Sequence, residues 1–190
     1  MALLKLRPCG ARPILAGDFA PAMLRRGALK FGSPGTHKWK RKTHADGKPY
    51  AVAIEADALR LPLRSESLDL IVTAFGFRNL ANYEEGLREI ARVLKPGGEV
   101  GILEFTEPSS GPMAGIFRFY FQRILPRIGG AISGNSEAYK YLPGSVAKFP
   151  SPSGLAALME KVGFTGVRIV SWNFGSVILH SARRNTSPLP

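Results

Sequence analysis

Apolar residues recur along this chain in two rhythms, and each rhythm predicts an element. Leu87, Ile90, Ala91 and Leu94 fall at helical spacing and predict a helix opening near Tyr83, which Pro96, Gly97 and Gly98 end in a tight turn. Val100, Ile102 and Leu103 then predict a strand with Glu104 at its carboxyl end. LDLIVTA, from Leu68 to Ala74, is nearly continuous in apolar character and predicts a strand buried on both faces. Upstream, Ile14 to Gly17 predicts a short strand closed by Asp18. A helix follows from Pro21 through Lys30, with Met23, Leu24 and Leu29 on one side and the proline in its first turn. Ala51 to Glu55 predicts another strand. Ser153 to Val162 predicts a helix stopped by Gly163, and the last two strands, Val167–Trp172 and Ser176–His180, are joined by a tight turn at Asn173, Phe174 and Gly175. Strands alternating with helices predict an α/β protein with a largely parallel sheet.

Between these elements lies a segment with Met113, Ile116, Phe117, Phe119, Tyr120, Phe121, Ile124, Leu125 and Ile128 at helical intervals, together with Arg118, Arg123 and Arg127. It reads either as an amphipathic core helix or as a surface that meets a bilayer.

Composition narrows this picture. The 190 residues suit one domain, and 45% hydrophobic content can fill a substantial core. The single Cys9 excludes an internal disulfide and points to a reducing compartment. No apolar run is long enough for a membrane span, and the segment from Met1 lacks the apolar core of a secretory signal, so a cytoplasmic protein is expected. The net charge of +12 is uneven: residues 1–50 hold eleven Lys and Arg against two Asp. His37, Lys38, Lys40, Arg41, Lys42 and Lys48 gather around Trp39. A solvated loop and a contact with anionic lipid headgroups both account for that cluster. No nucleic-acid recognition motif accompanies it, so no nucleic-acid partner is expected. No metal site is expected either.

Three stretches are more specific. RVLKPGG, from Arg92 to Gly98, continues to Glu104 with Thr106 two residues on; AFGFRNL spans Ala74 to Leu80; AYKYLPGSVAKFP spans Ala138 to Pro150. Together they resemble the quinone-ring C-methyltransferases, a family that uses S-adenosylmethionine to methylate demethylmenaquinol or the corresponding ubiquinol precursor. Thr106 replaces the serine of the family pattern. The resemblance covers roughly Ile14 to Arg183. It implies a class I methyltransferase fold, a Rossmann-like doubly wound sheet with an antiparallel last strand. It divides the chain into a non-family segment 1–13, a methyltransferase domain 14–183 with a substrate or lid insertion at 112–150, and a tail 184–190.

What the resemblance implies for the site can be placed residue by residue. Asp18 would hold the ribose hydroxyls of S-adenosylmethionine, although an aspartate there is equally suited to cap a helix. Asp57 would accept from the adenine amino group and the Ala58 backbone N–H would donate to the ring; a polar turn is the plain alternative. Ala74 stands where some family members carry serine. Arg78 and Asn79 are the catalytic candidates. A guanidinium keeps its proton in proteins, so its role would be to stabilise a phenolate rather than to act as a base, with Asn79 orienting it or the ring. Phe119, Tyr139, Tyr141, Glu104 and His180 are candidates for contact with the prenylated hydroquinone, and the ring proton could leave through water, Glu104 or His180. For Tyr139, Tyr141 and His180 the plain alternative is a structural role in the core. A lipid substrate favours a bilayer-facing insertion and a peripheral position at the inner membrane face.

One family element has no counterpart. The first strand and glycine-rich loop belong about twenty residues before Asp18, and Cys9 and Gly10 lie too close to serve. Seven residues between Leu6 and Ile14 are too few for a parallel crossover. The expectation is therefore an N-terminally truncated methyltransferase whose missing strand belongs between those ending at Asp18 and Ala74. The alternative is a non-catalytic binding or assembly subunit that pairs with a full-length homologue or with itself.

Overall fold

The computed structural model describes residues 14–25, 51–106, 115 and 144–187. It divides into two compact units, Met1–Pro62 and Leu63–Pro190. In the first, β1 (Ile14–Asp18) and β2 (Ala51–Glu55) pair in parallel, with Asp18 opposite Glu55 at their shared carboxyl ends. The chain turns helical at residues 21–25, where Leu24 is buried and Met23 remains exposed. The expected continuation to Lys30, the basic cluster around Trp39, the apolar segment from Met113 to Ile128, and Phe119, Tyr139 and Tyr141 lie outside the described residues.

The second unit is a four-stranded mixed sheet in the order β3-β4-β6-β5, formed by β3 (Leu68–Ala74), β4 (Leu94–Phe105), β5 (Phe164–Trp172) and β6 (Val177–Arg184). β3 runs parallel to β4, and β6 runs antiparallel to both β4 and β5. Two helices, α1 (Tyr83–Val93) and α2 (Pro152–Lys161), supply the apolar side chains that meet one face of this sheet. Leu87, Ile90, Ala91 and Leu94 are buried as their spacing requires, against Val100, Ile102 and Ala182 from the strands and Leu155, Met159 and Val162 from and beside α2. Each fully buried large aliphatic contributes about 1.5–3 kcal/mol. α1 starts where Asn82 accepts a hydrogen bond from the Glu85 N–H (3.1 Å), with Glu84 and Glu85 favourably placed in its first turn.

Among the described residues no ladder joins the two-stranded sheet to the four-stranded one. Among those residues β1 pairs only with β2, and β3 only with β4.

Three expectations are corrected. β3 is not buried on both faces: Leu70 and Val72 are exposed, because among the described residues the helices cover one face only. The last two strands are longer than predicted, since β5 begins at Phe164 and β6 reaches Arg184; pairing extends the ladder through residues whose own pattern is polar. Pro96, Gly97 and Gly98 do not form a separate turn after the helix. Leu94 leaves α1 already extended and pairs with Leu68, and the ladder resumes at Glu99 opposite Leu70. The intervening residues bulge out of the strand, with Gly97 at φ +75°.

Gly98 sits under the tightest part of that bulge. A Cβ there would lie 2.9 Å from the Lys95 carbonyl oxygen, 3.2 Å from Leu94 and 3.3 Å from the Asp69 carbonyl oxygen. Gly98→Ala is expected to destabilise the fold by about 1–3 kcal/mol, through overpacking against backbone that cannot move aside. Gly97→Ala, which has open space but a positive φ, should cost only about 1–2 kcal/mol. Urea unfolding midpoints of the two variants test the ranking.

Candidate active site

Ligands of open α/β sheets bind beyond the carboxyl ends of the parallel strands, and the end of β3 is built unusually tightly. Phe75 follows Ala74 with φ +56°, a left-handed conformation that costs a non-glycine residue about 1–2 kcal/mol. Its N–H donates to the Leu103 carbonyl (2.8 Å), and its ring stacks on Phe105 at the end of β4, with centroids 4.4 Å apart. The chain then enters a 3-10 turn at Phe77–Asn79. Phe77 is buried and packs against Tyr83 and Phe149, whose rings meet edge to face at 5.4 Å. The Tyr83 hydroxyl donates to the Arg78 carbonyl (3.1 Å). Aromatic packing thus fixes the backbone on both sides of Arg78.

The Arg78 side chain is fixed from below. Glu104, 1% exposed, accepts the Arg78 backbone N–H on Oε1 (3.1 Å), and on Oε2 it accepts Arg78 Nη1 (2.9 Å) and the Phe105 N–H (3.2 Å). Nη1 also donates to the Phe75 carbonyl, and Nε donates to Ser145 Oγ (3.3 Å). The guanidinium carbon stands 5.9 Å from the centre of the Phe105 ring, within cation–π range.

A cavity of about 540 Å³ opens over this arrangement. Arg78, Asn79, Tyr83, Ser145 and Lys148 give it polar groups, and Leu80 and Ala81 an apolar wall. Neither Glu104 nor His180 lines it. The reason is strand register: both side chains point to the helix-covered face of the sheet. Glu104 spends both oxygens on Arg78 and its own neighbour. His180 is 1% exposed, its Nε2 donates to the Pro152 carbonyl (2.9 Å), and its buried Nδ1 has no partner. Burial pushes this imidazole below its ordinary pKa, and the Pro152 carbonyl offsets the effect only in part.

Of the donor candidates, Asp18, Asp57 and Ala58 belong to the first unit and Ala74 to the second. Asp18 Oδ1 accepts the Ala20 N–H (2.9 Å) and Asp57 Oδ1 accepts the Leu59 N–H (2.9 Å), so among the described residues each carboxylate closes a local turn with one oxygen and keeps the other. Asp18 ends β1 and Asp57 follows β2, at the same end of one parallel pair, which is where acceptors for a ribose diol and an adenine amino group would belong. Half-buried Ala58 lies beside Asp57, and Ala74 closes β3 opposite Leu103. Among the described residues no group of three or more His, Cys, Asp or Glu is placed to hold a metal ion, and no helix is long and apolar enough to cross a membrane.

Phe75, Tyr83, Ser145 and Lys148 were not singled out by the sequence reading. Phe75 and the Ser145–Lys148 pair lie inside the blocks AFGFRNL and AYKYLPGSVAKFP, which was the only signal available for them.

A family model described as the ubiE/COQ5 methyltransferase family matches residues 14–184. The chain is 44% identical over 182 residues to a demethylmenaquinone methyltransferase of Thermus thermophilus, an alignment covering 96% of this chain and 76% of the relative. It is 45% identical over 152 residues to the protein of the same name from Deinococcus radiodurans, covering 80% of this chain and 57% of the relative. A solved SAM-dependent methyltransferase from Thermotoga maritima superposes with a TM-score of 0.57 at 16% identity, over 90% of this chain and 72% of that one; at such identity the likeness is one of fold.

Two outcomes follow from the site's construction. Glu104→Gln keeps the shape but leaves the enclosed guanidinium without its counter-charge, and should destabilise the protein by about 3–5 kcal/mol in urea unfolding. Because the folded state disfavours protonated His180, the unfolded chain takes up that proton first as pH falls. The stabilisation is therefore complete above about pH 6.5 and is lost as pH drops through that value toward the lowered folded one. Thermal unfolding scanned between about pH 7 and pH 5 should show this decline, flattened in His180→Gln.

Proposed function

The chain belongs to the ubiE/COQ5 methyltransferase family, and from that membership we propose that it transfers a methyl group from S-adenosylmethionine to a ring carbon of demethylmenaquinol. The observation that carries this reading is Arg78: a guanidinium held by Glu104, Phe75 and Ser145, presented at a cavity with one apolar wall. The chain spans 76% of the Thermus relative and 57% of the Deinococcus relative, so the activity of a whole protein is what is proposed.

The reaction needs an electron-rich ring carbon aligned with an electrophilic methyl group. When bound, S-adenosylmethionine supplies that methyl group on a sulfonium. Asp18 would receive its ribose hydroxyls, and Asp57 with the Ala58 N–H its adenine edge. Arg78 stabilises the oxyanion beside the reacting carbon. Because three partners already hold the guanidinium, it need not reorganise as the ring's charge changes. Asn79, exposed at the cavity, is placed to hydrogen-bond the ring's oxygen or the arginine. The ring proton passes to water, since Glu104 and His180 are buried and neither lines the cavity.

Calorimetric titration with S-adenosylmethionine, followed by mass-spectrometric detection of methylated quinol, tests the reading. Arg78→Lys should retain donor binding and lose about 10²–10³ in kcat, as expected when a fixed oxyanion donor is removed. Asp18→Ala should weaken donor binding by about tenfold or more. Full turnover by Arg78→Lys would overturn the assignment.

A further inference from the structure

The cavity holds two cations, and they are not equivalent. Arg78 is compensated by Glu104 at 2.9 Å, so together they present little net charge to a ligand. Lys148 has no such counter-ion among the described residues. Among the described residues it makes no ion pair, whereas Lys95, Lys161 and Arg183 each meet a carboxylate within 2.9 Å. Among the described residues no carboxylate lines the cavity. The position of Lys148 is nevertheless fixed: it lies three residues from buried Ser145 on the helical segment 144–148 and immediately before Phe149, which is buried against Phe77 and Tyr83. An anchored backbone carries an exposed ammonium at the cavity.

We propose that Lys148 determines the charge state of the ring this cavity accepts, selecting an aromatic hydroxyl already ionised to its oxyanion. This rests on the proposed methyl acceptor being a hydroquinone. Phenols ionise near pH 10 in water, and an uncompensated ammonium favours the charged form by attraction while releasing the proton to solvent. Arg78, half-buried and compensated, then meets a ring that arrives as an anion. The division of labour is specific: Lys148 sets capture and the pH at which capture occurs, and Arg78 acts in the transfer itself.

The test uses 4-nitrophenol, whose ionised form is coloured, with the full chain and without methyl donor. In the presence of the unsubstituted protein the probe should ionise at lower pH than in buffer, and the displacement should shrink with added salt. Lys148→Met should lose that displacement and bind the ionised probe about threefold more weakly at low ionic strength, while Lys148→Arg retains both. In turnover assays Lys148→Met should raise KM for the acceptor and move the acid limb of its pH profile upward, with kcat kept. Equal binding of the ionised probe by Lys148→Met and the unsubstituted chain overturns the proposal, and if that chain still methylates quinol the proposed function stands without it. Failure of the unsubstituted chain to bind the probe at all overturns the cavity as a ring site, and this proposal with it.

Discussion

A carboxylate buried under a guanidinium is the constraint on which the second unit depends. Glu104 is taken out of water at the end of β4, and an ion so placed costs several kcal/mol unless it is paired and hydrogen-bonded. It is compensated by three donors, two of which belong to Arg78. That demand dictates the path of the chain: after Ala74 the backbone must bend back at once so that both the N–H and the side chain of Arg78 reach the same carboxylate. The left-handed conformation of Phe75 achieves the bend, and the stacking of its ring on Phe105 and the hydrogen bond to Leu103 offset the cost.

The helix-covered face explains why the pair can be rigid. Phe77, Tyr83 and Phe149 lock the 3-10 turn, the start of α1 and the segment before α2 into one cluster. Ser145 reaches Arg78 from that same segment. Groups that stabilise charge act best when they do not move as the charge develops, and here every neighbour of the guanidinium is itself packed or hydrogen-bonded. His180 contributes to the same rigidity from β6. It ties the strand to the first residue of α2 through Pro152, and its burial disfavours the protonated imidazole.

The two units differ in what they contribute. The first holds acidic side chains at the ends of a parallel pair, each with one oxygen engaged locally. The second holds the arginine, the cavity and the larger core. Among the described residues β1 has a ladder partner only in β2 and β3 only in β4.

Much of this was legible in the amino-acid order. β2 and β3 begin and end where their apolar runs do, and α1 buries the residues its period selects, because the period of a pattern sets the backbone conformation that can use it, whereas the burial of β3 depended on what packs against each face. Arg78 and Asp18 were legible too, through short motifs at strand ends. The partners were not. Nothing in the spacing of Arg78 and Glu104, twenty-six residues apart, says that they meet, and the same holds for Arg78 with Ser145 or His180 with Pro152. Glu104 and His180 looked available for chemistry because a sequence lists ionisable groups without the face each occupies. Sheet register, which is set by long-range pairing, turned both toward the helices and left Lys148 at the cavity. Local periodicity thus determined the elements, and the tertiary structure alone decided which charges are spent on one another and which remain for a ligand, because electrostatic pairing depends on distance in space and not on separation along the chain.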